Sequence, residues 1–260
     1  FIEYEKTGDK VHYDFAYYLG GIFYDKTEYN SALKYYDMFS KSISPKDKRY
    51  YPSLFKKIKI NYDLQKYEDC AKISEELENG IDGFDDNSKK ELYSIAGNTY
   101  FHLKNIEKAE NYFNKLSEMN YNLTIPYAAI GLYYYEIKKF EKALKYLALV
   151  EDKSDNLKIF NALADIYNKT GDAVSAEKYY LKLYSMHPSE EYAVAAAKFF
   201  DANNNSNKAA EFYKIAVKYN PENMEALYFL GNLYFNLKNY QNAAGYLNSL
   251  SKIRHSYEKI

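Results

Sequence analysis

The chain has 260 residues, 47% of them hydrophobic, and a formal net charge of −1. This length allows a sizeable core, and the near-neutral charge lacks the basic excess expected of a nucleic-acid-binding protein. No apolar run approaches the ~18 residues that a transmembrane helix needs, and the single cysteine excludes an internal disulfide bond.

Residues 1–12 do not match the pattern that fills the rest of the chain. Gly8 is a typical helix stop, so this segment is an N-terminal extension or the end of a preceding helix. The chain starts at Phe1 without the charged and apolar regions of a signal peptide. Because the first residue is not Met, we expect a processed protein or an excised fragment, and the lack of a polar capping helix after Leu250 favours a fragment of a longer repeat protein.

One helical pattern recurs from residue 13 onward and is clearest between residues 160 and 188. Counting from Phe160, large, apolar, small and aromatic residues stand at offsets 0, 3, 4 and 7, on one face of an α-helix. Gly171 then predicts a turn, and a second helix opens with the small residue Ala176 facing the first helix.

The period of this pattern is regular. The small residue of the second helix recurs as Ala32, Cys70, Ala109, Ala143, Ala176, Ala209 and Ala243. The spacings between these positions are 38, 39, 34, 33, 33 and 34 residues. The first helix carries Gly20, Gly97, Gly131, Ala164, Ala197 or Gly231 at the matching small position. Only the second repeat departs, because the larger Ile58 stands there, and its register stays open.

The pattern resembles the tetratricopeptide repeat (TPR), a helix-turn-helix unit of about 34 residues. The resemblance covers residues 13–253 and implies an all-α, right-handed α-solenoid, or superhelix, in which small residues let paired helices pack closely. The predicted repeats are 13–50, 51–89, 90–123, 124–156, 157–189, 190–223 and 224–253. Residues 254–260 are predicted to be a C-terminal tail or a truncated cap.

Turn and proline signals fit this division. The segment 78–88 contains two Gly and three Asp and predicts a loop. All five prolines fall between repeats or in the first turn of a helix, where they are tolerated. Asn220 before Pro221 predicts an N-cap followed by proline at the first helical position. No stretch alternates with period two, so no sheet is predicted.

Residues capable of catalysis or metal binding are scattered. The four histidines are far apart in the chain, and no motif has metal-ligand spacing. Cys70 occupies the small position between helices, which predicts a buried hydrophobic residue and not a nucleophile. Asp85 and Asp86 are predicted to be a solvated loop pair. We expect no catalysis, no cofactor and no metal.

The TPR resemblance implies that the first helices line a concave groove that holds a peptide segment or a helix of a partner. The helical wheel places these candidates on the groove side: Tyr17, Tyr18, Tyr24, Asn98, Phe101, His102, Tyr135, Asn161, Asp165, Tyr228, Phe229, Asn232 and Phe235. Further candidates are Phe55, Lys59, Tyr62, Leu132, Asn168, Lys198 and Asp201. Each residue either contacts a partner or packs against a neighbouring first helix, and both interpretations stay open here.

Two asparagines carry a more specific expectation. By resemblance, Asn98 and Asn232 stand where TPR grooves often place an asparagine that bonds the ligand backbone. TPR co-chaperones that bind a C-terminal carboxylate combine such residues with lysines, but Lys59 and Lys198 are isolated here. The sequence therefore disfavours binding of a chaperone tail.

The predicted function is a non-catalytic protein–protein interaction scaffold or adaptor that assembles a larger complex through its groove and array ends. One alternative is a recognition module of a larger enzyme or regulator. Another is a structural homo-oligomer formed through the end repeats. The 33 tyrosines and absent tryptophan fit AT-rich coding, which favours a bacterial source and a cytoplasmic or periplasmic location, with a lean towards export or excision.

Overall fold

The computed structural model describes residues 11–257, which contain fourteen α-helices and no strand. The first ten residues of the predicted N-terminal segment and the last three of the predicted tail lie outside the described residues. The fold is an all-α solenoid, as the sequence predicts, and the chain divides into two compact units at residues 126 and 127. Among the described helices, none combines the length and apolarity needed to cross a membrane.

The first unit contains three helix pairs in which each helix packs on the next. Its helices are α1 (Val11–Asp25), α2 (Tyr29–Ser42), α3 (Tyr50–Asp63), α4 (Tyr67–Glu78), α5 (Asp86–His102) and α6 (Ile106–Glu118). A short 3-10 helix, Ile81–Gly83, lies between α4 and α5. The core of this unit follows the seams between helices, with fully buried residues such as Phe39, Leu77 and Phe113.

The second unit contains four further pairs. Its helices are α7 (Thr124–Glu136), α8 (Phe140–Leu147), α9 (Leu157–Thr170), α10 (Ala173–Met186), α11 (Glu190–Ala202), α12 (Ser206–Tyr219), α13 (Met224–Asn236) and α14 (Tyr240–Tyr257). A 3-10 helix, Glu151–Lys153, follows α8. Because α14 continues to Tyr257, residues 254–257 are helical. One cluster of buried side chains joins α10, α11, α12 and α13.

The same turn joins the two helices of every pair. Each turn holds one residue in the left-handed region: Thr27, Gln65, Lys104, Lys138, Gly171, Asn204 or Lys238. In the third pair, the N–H of Asn105 bonds the carbonyl of Tyr100 at 2.9 Å, which satisfies a carbonyl at the end of α5. Only the fifth turn uses glycine, so the sequence signal for the other six is the repeat period and not a turn residue.

The small residues of the repeat pattern have the packing role that the sequence predicts. A Cβ atom added to Gly97 would lie 2.5 Å from the ring of Phe113, and one added to Gly131 would lie 2.6 Å from Leu147. In both helix pairs the contacted residue lies on the second helix, sixteen residues after the glycine. In the second pair the large Ile58 and the position sixteen residues later, Ser74, are both fully buried. The exceptional Ile58 is therefore matched by a small residue at the partner position.

Two local predictions are wrong. The predicted loop 78–88 is shorter than expected, because α5 already begins at Asp86 and Asp85 caps it by accepting from the Ser88 N–H at 2.9 Å. Asp85 and Asp86 are thus a cap and a helical residue instead of a loop pair. Asn220 is not the cap of α13, since the helix begins later and Asn223 accepts from the Ala226 N–H at 2.8 Å.

Candidate functional site

The candidates on α1 differ sharply in exposure. Tyr17 is half-buried, with its ring 5.1 Å from that of Phe39. Tyr24 is also half-buried, and Lys56 of α3 places its Nζ 4.2 Å from the ring centroid. Tyr18 is 61% exposed. Two of these three tyrosines therefore support the packing of the first unit.

The candidates on α5 have partners in the same unit. Asn98 Nδ2 donates to the Ser94 carbonyl of its own helix at 2.9 Å. The ring of His102 stacks on that of Tyr67 at 4.4 Å, and Phe101 is half-buried with Lys104 Nζ 5.8 Å from its ring centroid. These side chains already take part in contacts within the chain.

Three candidates of the second unit connect neighbouring first helices. Tyr135 of α7 donates to Asp165 Oδ2 of α9 at 2.8 Å, and Lys169 Nζ approaches the same oxygen at 2.5 Å. Burial and this carboxylate raise the pKa of Tyr135 to about 12. Asn161 Nδ2 donates to the hydroxyl of Tyr192 on α11 at 3.3 Å. These polar contacts bridge α7 to α9 and α9 to α11.

The structure brings three other candidates together. Tyr228, Phe229 and Asn232 of α13 line a cavity of about 350 Å³, which Asp201 at the end of α11 also lines. The full lining, here called the α13 cavity, is Asp201, Ser206, Tyr213, Glu225, Tyr228, Phe229, Asn232, Leu233 and Asn236. The cavity thus collects residues from three consecutive helices of the second unit.

The local sequence explains why these side chains reach the cavity. Ala226, Leu227, Leu230 and Gly231 are buried and form one face of α13. A Cβ added to Gly231 would lie 2.6 Å from Leu247, so this face packs closely on α14. Because a helix turns by 100° per residue, residues 228, 229 and 232 project away from that buried face.

The wall of the α13 cavity is aromatic and acidic. The ring of Phe229 lies 4.4 Å from that of the buried Tyr213. The Tyr213 hydroxyl donates to Glu225 Oε1 at 3.4 Å, and Lys198 Nζ pairs with Glu225 Oε2 at 2.9 Å. Burial and the carboxylates of Glu225 and Asp201 raise the pKa of Tyr213, so this hydroxyl remains a donor.

Several groups at the α13 cavity remain available for contact. Tyr228 is 58% exposed, and the half-buried Asn232 has no side-chain hydrogen bond to any described residue. Phe235 is 57% exposed next to Tyr240, with ring centroids 5.7 Å apart. Phe235 stands two helical turns after Tyr228 on the same face of α13, but it does not line the cavity. This combination of exposed rings and a free amide is suited to binding a partner.

Glu225 and Tyr213 also belong to the cavity, although neither was predicted as a site residue. Glu225 stands three residues before Tyr228 and shares its helical face, so the same wheel argument could have found it. Tyr213 follows the packing pattern of the second helix, and no sequence signal indicates that its hydroxyl faces a cavity.

The single thiol is not a candidate nucleophile. Cys70 is fully buried, its Sγ–H donates to the Ile58 carbonyl at 3.6 Å, and burial raises the pKa of the thiol to about 12. Within residues 11–257, no group of three or more His, Cys, Asp or Glu side chains is placed to hold a metal ion.

Comparisons with known proteins define the class of this chain. A family model described as tetratricopeptide repeat matches residues 128–191 and 194–253, and a second model with that description matches residues 91–123. The chain belongs to the tetratricopeptide repeat family, as the residue pattern predicts. Proteins of this family are generally non-catalytic interaction modules.

Solved structures show the same fold. The C-terminal part of a TPR repeat-containing protein from Cytophaga hutchinsonii is 16% identical, with a TM-score of 0.58 over 91% of this chain and 95% of that chain. A crystal structure of MamA protein is 14% identical, with a TM-score of 0.51 over 66% of this chain and 96% of that chain. A search of curated proteins found no match.

Proposed function

We propose that this chain is a non-catalytic scaffold or adaptor that assembles a protein complex by binding a partner segment in the α13 cavity. The observation that carries the proposal is the convergence of Tyr228, Phe229 and Asn232 on one cavity of about 350 Å³. Tyr135 of α7 already bonds Asp165 of α9, and Asn161 of α9 already bonds Tyr192 of α11. The α13 cavity, in contrast, brings together candidate side chains that remain available to a partner.

Each group of the cavity has a distinct part in this binding. Tyr228 is exposed in the free protein and can be covered by a partner, and buried tyrosines contribute strongly to interface affinity. Asn232 offers a donor and an acceptor to the backbone of an extended segment. Phe229 is fixed against Tyr213 and forms a rigid wall, so little conformational freedom is lost on binding.

The charge of the cavity bears on the class of partner. Its charged lining residues, Asp201 and Glu225, are both acidic. A C-terminal carboxylate or a nucleic-acid phosphate would meet repulsion there, because like charges across an interface are unfavourable. The proposal therefore takes a protein segment as the partner and includes no nucleic acid, cofactor or catalytic step.

Self-association is a second candidate function, favoured by one observation on α1. Phe15, Tyr18 and Ile22 are 57%, 61% and 50% exposed and stand on one helical face. An apolar face of this kind is typical of a protein contact. Sedimentation equilibrium of the chain and its Tyr18→Lys variant tests it: a dimer that the variant loses supports the candidate, and a monomer at all concentrations excludes it.

Peptide selection tests the main proposal and does not require the partner to be identified first. Random linear peptides displayed on phage are selected against the chain, and the dissociation constants of enriched peptides are measured calorimetrically. We expect Tyr228→Ala to weaken binding by about five- to thirtyfold, since truncation of a tyrosine at the centre of an interface costs on the order of 1–2 kcal/mol. Tyr121→Ala is the matched control, because Tyr121 is 41% exposed in the other unit. Equal affinities of wild type and Tyr228→Ala would contradict the proposal.

A further inference from the structure

The α13 cavity has an uncompensated negative charge. Asp201 and Glu225 are its charged lining residues, and no Lys, Arg or His lines it. Glu225 is partly neutralised by Lys198 at 2.9 Å. Asp201, in contrast, forms no ion pair with any residue in the described part of the chain. Its carboxylate is exposed at the end of α11 and available to a cation.

The aromatic groups lie beside these carboxylates on the same wall. Tyr213 connects the two kinds of group, because its hydroxyl donates to Glu225 and its ring lies 4.4 Å from that of Phe229. Tyr228 stands one helical turn after Glu225 and is 58% exposed. A cation between a carboxylate and an aromatic face gains from both, through a charge-assisted hydrogen bond and the ring quadrupole.

We infer that the partner segment presents a lysine or arginine side chain to Asp201 and Glu225, next to an apolar residue that covers Tyr228 and Phe229. This inference rests on the proposed function and names the chemistry of its partner. The (CH₂) stem of either basic residue is apolar and can lie along the rings while its charged head reaches the carboxylates. Asn232 then bonds the backbone of the same segment.

The experiment uses the enriched peptides from the selection and two isosteric charge variants. Asp201→Asn removes the free carboxylate, and Asp155→Asn removes an exposed carboxylate from the loop before α9 as the matched control. Both variants change the net charge by the same amount. Circular dichroism and thermal unfolding establish that both fold like the wild type.

If the inference is correct, enriched peptides carry a Lys or Arg next to an apolar residue. Asp201→Asn then weakens their binding by about tenfold or more, Asp155→Asn leaves it unchanged, and replacing the basic residue of the peptide by Gln removes the effect of Asp201→Asn. Affinity should also fall as salt is raised.

Two other outcomes overturn the inference in distinguishable ways. Peptides without a basic residue that depend on Tyr228 but bind Asp201→Asn as well as wild type would exclude a cationic partner and keep the proposed function. Peptides whose binding is insensitive to both Tyr228→Ala and Asp201→Asn would exclude the α13 cavity as the binding site, and with it both proposals.

Discussion

Gly97 lies so close to Phe113 that an added Cβ atom would approach the ring to 2.5 Å. Gly20, Gly131 and Gly231 stand in the same relation to the residues sixteen positions later, with added Cβ distances of 2.8, 2.6 and 2.6 Å. In these four repeats, the two helices can pack this closely because the first helix has a glycine, without a side chain, at the point of contact. The Gly231 contact with Leu247 sets how closely α13 packs on α14.

Gly97→Ala is expected to destabilise the protein by about 1–3 kcal/mol, because Phe113 is buried and cannot yield without disturbing its neighbours. Urea denaturation measures the change in unfolding free energy. Gly245→Ala is the matched control, since nothing lies within 4 Å of an added Cβ on α14. The control should be stabilised by about 0.5–1 kcal/mol, as alanine favours a helix interior. Stabilisation by both substitutions would contradict the packing role of Gly97.

Lys138→Gly should stabilise the second unit. Lys138 has φ of 59° in the turn between α7 and α8, a conformation that costs a residue with a Cβ about 1–2 kcal/mol. Glycine adopts it freely but loses more entropy on folding, which leaves a net gain of about 0.5–1 kcal/mol. Gly171→Ala, at the equivalent position with φ of 82°, should be destabilising. Thermal unfolding of both variants checks the prediction, which fails if Lys138→Gly lowers the melting temperature.

Asp47 should contribute to stability in a pH-dependent way. Hydrogen bonds from the Arg49 side chain and backbone lower the pKa of Asp47 to about 2. Because this folded-state pKa is below the unfolded value near 4, the unfolded chain binds the proton more readily. The stabilisation is therefore present above pH ~4 and lost as the pH falls towards ~2.

The free energy of unfolding of Asp47→Asn and wild type, measured between neutral and acid pH, checks this sign. We expect a difference of about 1 kcal/mol near neutral pH, reduced by solvent screening, that vanishes at the acid end. Asp82→Asn, which removes a carboxylate at an exposed position, is the control. If the difference in unfolding free energy between Asp47→Asn and wild type grew as the pH fell, the pKa of Asp47 would not be lowered by folding, and the prediction would be wrong.

Cys70 should be inert towards thiol reagents in the folded protein. Its side chain is fully buried, and burial raises the thiol pKa to about 12, so little reactive thiolate forms near neutral pH. Labelling with an aromatic disulfide reagent should be slow in buffer and fast in denaturant. Rapid labelling of the native chain would mean that the α3–α4 pair opens readily.

The repeat period made most of the fold predictable. Buried small residues at a constant spacing, such as Ala109 and Ala143, defined the helix pairs without any homologous sequence. The turns were less readable, because Lys104 and Lys138 occupy a conformation that usually signals glycine. Asn220 followed by Pro221 predicts the N-cap of α13, because proline favours the first position of a helix. In the structure Asn220 Nδ2 donates to Glu190 Oε1 of the preceding first helix at 2.8 Å.

The candidate site was only partly predictable for a related reason. A helical wheel identifies side chains that leave the packing face, but it does not measure the distance between first helices of adjacent repeats. Tyr135 reaches Asp165 and Asn161 reaches Tyr192 because α7, α9 and α11 lie close together. The Tyr228 side chain has no such partner among the described residues. Which first helices come close enough to bond depends on tertiary packing, and the local sequence of one helix does not show it.

Photo-crosslinking from inside the α13 cavity tests the central claim most directly. A benzophenone amino acid replaces Asn236, which lines the cavity, or Tyr121 in the other unit as the control. Each protein is irradiated with a biotin-labelled peptide from the selection, and mass spectrometry locates the link. The account predicts a peptide adduct from position 236, abolished by adding Tyr228→Ala, and none from position 121. Equal adducts from both positions, or none from position 236 with a peptide that binds, would contradict it.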